Sequence, residues 1–193
     1  MTLRDDYEHW ARNFARRIGE GWGDFLDAVV AVATEAAEAG SSSAVFLAEK
    51  TDGGAITATA TATPEASTIV TWDSPTIEDD GYSISAGEVT IGSELDGKWL
   101  LVNIQINGDG FNNRTQVVIE LQQDTGGGYS TLIRSSNYNS RDSDQNEGAT
   151  SINGFLVQVS EDDKLKVMCA NNTDGAAGVY GTNGCFWSMV SVA

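Results

Sequence analysis

The feature that most constrains this chain is the alternating stretch Lys98-Trp-Leu-Leu-Val-Asn-Ile-Gln-Ile106. Every second side chain from Leu100 to Ile106 is aliphatic, and the side chains between them are mixed in character. A period of two over this length is typical of a β-strand and not of a helix. The apolar face predicts a strand that joins a core. The mixed face, which carries Trp99 and Leu101, predicts contact with water or with a partner.

Similar short segments follow this strand and also precede it from about residue 66. We predict strands at residues 69–72, 81–85, 88–91, 98–106, 115–123, 131–137, 154–159, 164–170 and 185–192. Turn sequences such as Asp96-Gly97, Gly126-Gly-Gly128 and Asn153-Gly154 separate them. Many short strands without an intervening helix predict an all-β sandwich or barrel over residues 66–193.

The first 40 residues have a helical pattern instead. Apolar side chains recur there every three or four positions and so share one helix face; they are Tyr7, Trp10, Phe14, Ile18, Trp22, Phe25, Val29 and Val32. Gly19, Gly21 and Gly23 predict a bend between two helices. We interpret residues 1–40 as a helical anchor arm that contacts a partner through its aromatic stripe, Tyr7, Trp10, Phe14, Ile18, Trp22 and Phe25. The alternative is a helix pair packed on its own domain.

Residues 41–65 join this arm to the β region. Residues 44–48 could form a short strand, and residues 56–64 alternate Thr and Ala without a bulky side chain to anchor them. We interpret residues 41–65 as an extended linker, either flexible or bound along a sheet edge. The alternative is that the segment adds a strand to a neighbouring chain.

The charge balance excludes some classes of partner. The chain has 28 acidic residues against 11 basic ones, a net charge of −17. Such a surface repels phosphates, so we expect neither nucleic acid nor an anionic membrane as a partner. The first 40 residues lack the pattern of a signal peptide, and no apolar run approaches the roughly 20 residues of a membrane helix. We therefore expect the chain to fold in a host cytoplasm.

Four pieces of the β region together resemble the jelly roll of the tumour-necrosis-factor and complement-globular-head superfamily. They are residues 70–73 with 82–84, 87–91 with 96–102, 154–159 with 161–167, and 184–190. The resemblance implies an all-β jelly-roll head that forms a homotrimer, with Trp99, Leu101, Trp187 and Met189 as candidates for the trimer interface. The order of arm, linker and head is also similar to that of phage capsid decoration and short head-fibre proteins. That similarity implies a virion location and a major capsid protein, or another virion protein, as partner.

One polar loop has the spacing of a calcium site. Its Asp-x-Asp-x-Asn pattern is formed by Asp142, Asp144 and Asn146. The glycine and the later acid of an EF-hand loop are missing, and the flanking sequence does not predict helices. We interpret the segment as a solvated loop; the alternative is a weak calcium site shared with Asp109.

Few residues suit catalysis. His9 is the single histidine, and the sequence contains neither a Gly-x-Ser-x-Gly motif nor a phosphate-binding loop. The acids at 161–163 are expected in a hairpin turn, where the cleft that paired catalytic carboxylates need is missing. Cys169 and Cys185 are expected to be buried free thiols, with a disulfide as the alternative. We expect no enzymatic activity and no cofactor other than the candidate calcium ion.

The pattern as a whole favours a non-enzymatic virion structural protein. We expect a trimeric decoration or short head-fibre protein whose arm binds a capsid. The alternative is a tail-fibre module in which the Asn-, Asp- and Gly-rich loops at 107–114, 139–150 and 171–184 bind a host receptor or glycan.

Overall fold

The computed structural model describes residues 43–59, 62–65, 68–73, 75–109, 115–138, 148–172, 178–181 and 184–192. The regular elements within these ranges are eleven β-strands and one short 3-10 turn, which confirms the all-β prediction for the head. The predicted helical arm lies outside the described residues. Within the described part of the chain, no helix has the length and apolar character needed to cross a membrane.

The strands form two antiparallel sheets. In chain order they are β1 (Val45–Glu49), β2 (Ile77–Glu78), β3 (Tyr82–Ser85), β4 (Glu88–Ile91), β5 (Trp99–Asp109), β6 (Gln116–Asp124), β7 (Tyr129–Tyr138), β8 (Gly148–Gln158), β9 (Lys164–Asn172), β10 (Val179–Tyr180) and β11 (Phe186–Val192). The first sheet has the order β10-β5-β11-β1-β2, with β8 also paired to β5, and the second has the order β3-β4-β9-β6-β7. Neighbouring strands such as β1 and β11, or β4 and β9, are far apart in sequence. The chain therefore crosses repeatedly between the sheets, as in a jelly roll.

The core lies between the two sheets and receives the apolar face of β5. Leu100, Val102, Ile104 and Ile106 are all 0% exposed, as their alternation predicts. Inward-facing side chains of β4, β6, β9 and β11 complete the same cluster. Burying each aliphatic side chain of this size contributes about 1.5–3 kcal/mol.

The sandwich begins before residue 66. The predicted boundary between a linker at 41–65 and the head is therefore wrong for residues 45–49, which form part of the sandwich. β1 pairs with β11 along its whole length, and its Phe46 and Ala48 belong to the core. Ile56, from the Thr/Ala segment, is also fully buried there. The short strand predicted as possible at residues 44–48 is therefore observed, at Val45–Glu49. Its pairing with β11 could not be read from the sequence, because the two strands are about 140 residues apart.

The Thr/Ala segment and the residues after it run along the edge of β9. β4 pairs only with Lys164–Lys166 of that strand. The rest of this edge of β9 is therefore not covered by β4. Thr59 N–H donates to the Asn171 carbonyl (2.8 Å) and Val70 N–H donates to the Val167 carbonyl (2.9 Å). The edge-bound form of the linker prediction is therefore the one observed. The predicted strand at 69–72 is reduced to a single bridge, between Ile69 and Met168.

β8 begins at Gly148, six residues before the predicted strand at 154. The Asn153-Gly154 pair, predicted as a turn, lies inside β8 opposite a register shift between Val102 and Ile104 of β5. Gly154 has a φ of +66°, and its N–H donates to the Asn103 side-chain oxygen at 2.8 Å. A glycine with positive φ occurs in β-bulges as well as in turns. The Asn-Gly pair therefore indicated the backbone conformation correctly, but the prediction that the strand ends there was wrong.

The turn between β3 and β4 requires a glycine. Gly87 has a φ of +86°, and a Cβ atom there would lie 2.4 Å from the carbonyl oxygen of Val70. The missing side chain lets the 68–70 segment lie directly against this turn.

Candidate oligomerisation surface

A strip of apolar side chains lies on the outer face of the first sheet. Trp99 is 47% exposed and Leu156 is 50% exposed, and Leu156 pairs directly with the half-buried Leu101. Paired residues, and residues two apart on one strand, project from the same face of a sheet. We call Trp99, Leu101 and Leu156 the β5–β8 strip. An exposed apolar surface of this kind is typical of an interaction site.

The strands beneath the strip are held firmly at this end. Lys98 N–H donates to the Leu95 carbonyl (3.0 Å), and Val159 N–H donates to the Lys98 carbonyl (3.0 Å). Gly97, with a φ of +73°, turns the chain into β5, and its N–H donates to the Val159 carbonyl at 2.9 Å. Because Leu100 is fixed inside the core, Trp99 must project outward.

The same outer face becomes polar further along β5. Asn103 is 1% exposed and Gln105 is 7% exposed. The Asn103 side chain accepts a hydrogen bond from Gly154 N–H. The Gln105 side-chain amide donates to the Gly184 carbonyl (3.1 Å) and to the Asn107 side-chain oxygen (3.3 Å). These amides have partners within the chain, so the apolar contact surface is confined to the first part of β5.

Two of the four predicted interface residues do not lie on this surface. Trp187 and Met189 are 0% exposed and belong to the core, so their assignment to a trimer interface is wrong. The Trp187 ring lies 5.4 Å from that of Phe46 and 6.0 Å from that of Trp72, measured between centroids. β11 is apolar on both faces, and alternation alone cannot decide which face points inward.

Leu156 was missed at the sequence level, although a signal for it exists. Phe155, Val157 and Val159 alternate with Leu156 and Gln158. Val157 and Val159 are buried in the core, so the same parity argument that places Trp99 outside also places Leu156 outside.

The other predicted binding residues fall outside the described residues. These are the anchor residues Tyr7, Trp10, Phe14, Ile18, Trp22 and Phe25, and the calcium candidates Asp142, Asp144 and Asn146. Asp109 is exposed at the end of β5. Within the described ranges, no group of three or more His, Cys, Asp or Glu side chains is arranged to hold a metal ion. Most residues of the three loops proposed for glycan binding also lie outside those ranges.

The two cysteines are free and buried, as expected. The Cys185 thiol donates to the Asn107 carbonyl at 3.1 Å, and it accepts from Asn107 N–H at 3.2 Å. Burial raises the pKa of Cys185 to about 11. Burial also raises the pKa of Cys169 well above its usual range, and the nearby Cys185 adds to that shift. Neutral buried thiols are poor nucleophiles.

The acids at 161–163 form a turn between β8 and β9. Asp163 is 7% exposed, and its carboxylate accepts from Ser160 N–H (2.9 Å) and from the Gln123 side-chain amide (2.8 Å). Asp96 accepts from Glu161 N–H at 3.0 Å. These bonds hold the turn in place and give the carboxylate of Asp163 a structural role.

Comparisons with known proteins identify the fold. No protein-family model and no curated protein matches the sequence. Murine APRIL matches with a TM-score of 0.56 and 16% identity over 78% of this chain and 99% of that chain. The Eiger TNF of S. frugiperda matches with a TM-score of 0.53 and 17% identity over 78% of this chain and 92% of that chain. The globular domain of zebrafish complement 1qA is 14% identical, with a TM-score of 0.49.

The structural similarity establishes the architecture, whereas sequence identities this low leave the function open. The APRIL and Eiger matches span nearly the whole of those chains and 78% of this one. The described sandwich has the jelly-roll fold of the tumour-necrosis-factor type.

Proposed function

We propose that this chain is a non-enzymatic structural protein whose jelly-roll head assembles as a homotrimer through the β5–β8 strip. We further propose that the trimer is the head of a virion decoration protein or short head fibre. The observation that carries the proposal is the strip itself. Trp99 and Leu156, two of the few large exposed apolar side chains among the described residues, lie on the same face of the paired strands β5 and β8.

The energetics of the strip favour its burial. Covering about 100 Å² on each of Trp99 and Leu156, at about 25 cal/mol per Å², contributes about 5 kcal/mol per protomer. This contribution offsets part of the entropy lost on association. A ring of three identical contacts covers every copy of the strip and leaves no open end.

The virion role is supported by the order of features along the sequence. The aromatic stripe that includes Trp10, Phe14 and Trp22 precedes an acidic β head with a net chain charge of −17. A stripe of this kind suits docking on another protein, such as a major capsid protein. The sequence also lacks the motifs of the common nucleophilic and phosphate-binding enzymes.

The solution mass of the full chain tests the assembly. We expect wild type at about three times 20.5 kDa, and the Trp99→Ser/Leu156→Ser double variant near 20.5 kDa with an unchanged far-UV spectrum. Val179→Ser is the matched control, because Val179 is also exposed (37%). It pairs with Asp109 at the opposite end of β5, roughly 33 Å from Trp99. A monomeric wild type, or a trimeric double variant, would overturn the proposed assembly.

Particle binding tests the virion role separately. Trp10→Ala with Phe14→Ala should abolish binding to capsids stripped of this protein and leave the trimer mass unchanged. A matched control replaces polar residues of the same segment, Glu8→Ala with Asn13→Ala, and should leave binding unchanged. Undiminished binding by the Trp10/Phe14 variant would contradict the anchor role.

A further inference from the structure

The Asn153-Gly154 pair inside β8 is a potential site of covalent self-modification. In such a pair the Gly154 nitrogen can attack the side-chain amide carbon of Asn153 and close a succinimide ring. The new bond replaces the one from that carbon to the side-chain nitrogen, which leaves as ammonia and takes the proton of the Gly154 nitrogen. Water then opens the ring to aspartate or isoaspartate. Glycine permits the attack because it has no side chain to cover its nitrogen.

The surroundings of the pair leave it open to this reaction. The Asn153 side chain is exposed, so water can reach the amide and the ring. An attack within one chain needs only that the two reacting atoms approach in the correct orientation. The orientation of the Gly154 nitrogen relative to the Asn153 side chain therefore decides whether the ring forms.

Both reacting groups are held by other bonds. Gly154 N–H donates to the side-chain oxygen of Asn103 at 2.8 Å, and Asn103 is 1% exposed. The Asn153 side-chain nitrogen donates to the Ser151 hydroxyl at 3.1 Å. From the extended backbone of a strand, the attack needs a rotation of the peptide plane between Asn153 and Gly154. That rotation breaks the bond to Asn103 and leaves its buried oxygen without this partner, which costs free energy.

We infer that Asn103 is a positioning residue that protects Asn153 from self-modification by holding the Gly154 N–H away from the side-chain amide. Isoaspartate at 153 would add a main-chain atom and a negative charge to β8, three residues from Leu156. An added main-chain atom disturbs the register of a strand. The bond from Gly154 to Asn103 thus preserves the strand that carries Leu156, and it acts within one head, whether or not the head forms a trimer.

Peptide mapping of the full chain by mass spectrometry, after incubation in mildly alkaline buffer, measures the conversion of Asn153 to aspartate and isoaspartate. We expect the folded wild type to convert about 10-fold more slowly than the same chain unfolded in urea, because β8 must first open locally. Asn103→Leu keeps a similar volume and removes the acceptor, so it should raise the rate in the folded chain about 10-fold. A folded wild type that converts as fast as the unfolded chain, or an unchanged rate in Asn103→Leu, would overturn the inference.

Gln105→Leu is the matched control. Gln105 lies two residues along the same face of β5 and is 7% exposed, but its side-chain amide donates to Gly184 and Asn107 and not to β8. This variant should leave the conversion of Asn153 at the wild-type rate. Equal acceleration in both variants would mean that a general loss of stability exposes the pair, which contradicts a specific role for Asn103.

Hydrogen exchange in the wild-type protein decides the question if Asn103→Leu fails to fold. The Gly154 amide should exchange about 10-fold more slowly than the amide of Gly127, which lies in the exposed turn between β6 and β7. Equally fast exchange at the two glycines would show that the bond to Asn103 does not hold the Gly154 nitrogen, and the inference would be wrong.

Discussion

The two sheets enclose the same core, but their outer faces differ in the side chains that cover them. On the second sheet, the carboxylate of Glu120 is nearly buried and accepts from the Arg134 Nε at 2.6 Å and the Thr131 hydroxyl at 3.0 Å. On the first sheet, Trp99 and Leu156 remain about half exposed. One face is closed by polar side chains of its own chain, and the other presents the side chains that a partner surface would cover.

A second polar cluster extends the closed face. The Tyr129 hydroxyl donates to Glu88 at 2.7 Å, and the Lys166 ammonium group lies 3.4 Å from the centre of the Tyr129 ring. The cation covers the aromatic face, so this ring does not offer the bare apolar surface that Trp99 does. In this molecule the Lys166 ammonium group therefore distinguishes the Tyr129 ring from the half-exposed apolar side chains of the β5–β8 strip.

The largest expected difference in stability is between alanine variants of Trp187 and Trp99, which lie on opposite faces of the first sheet. Trp187→Ala should lower the free energy of unfolding by about 3–5 kcal/mol, because it leaves a cavity against Phe46 and Trp72. Trp99→Ala should change the stability of the monomeric head by less than about 0.5 kcal/mol. Urea unfolding at protein concentrations that keep the head monomeric measures both. Equal losses would erase the distinction between core and strip.

The next effect concerns the closed face. Arg134→Met keeps the aliphatic length and removes the guanidinium group that pairs with the buried Glu120 carboxylate. It should lower the free energy of unfolding by about 2 kcal/mol, because the carboxylate then lacks its cation. Adding Glu120→Gln should restore much of that loss. Urea unfolding measures the change. An unchanged midpoint for Arg134→Met would show that the pairing of Arg134 with Glu120 does not stabilise the second sheet.

Alkaline pH should destabilise the interior through the buried thiol of Cys185. The pKa of Cys185 is raised by burial from 9.0 to about 11, so the folded state holds its proton more tightly than the unfolded state. This contribution is fully present below about pH 9 and is lost as the pH rises towards 11, with a slope of up to about 1.4 kcal/mol per pH unit. Urea unfolding under reducing conditions at about pH 8 and about pH 10.5 measures it. Cys185→Ala should flatten the slope, and a slope unchanged by that variant would contradict the assignment.

Much of the fold could be predicted from local patterns. Alternation placed Leu100 and Ile104 in the core and Trp99 outside, because parity along a strand is a geometric property of the backbone. Turn residues also placed most strand boundaries within a few positions. The errors fall where long-range pairing decides. β1, allowed only as a possible strand, joins the sandwich by pairing with β11, and β10 forms by pairing with β5. Asn153-Gly154 became a bulge because β5 continues opposite it.

The candidate surface was only half predictable for the same reason. Trp99 and Leu101 follow from parity, whereas Trp187 and Met189 were placed on the wrong side, since both faces of β11 are apolar. Register with β1 and packing against Phe46 decide that choice, and neither can be read from seven residues of β11.

Local patterns in the sequence were enough to predict the strands of the described head, the buried face of β5 and the strongly acidic character of the chain. These properties depend on side-chain period and charge, which are local or additive. Three features could be seen only in the folded chain: residues 44–59 belong to the sandwich, Trp187 lies in the core, and Leu156 joins Trp99 in one strip. Each of these depends on pairing between segments far apart in the chain, and that pairing is set by the packing of the whole core.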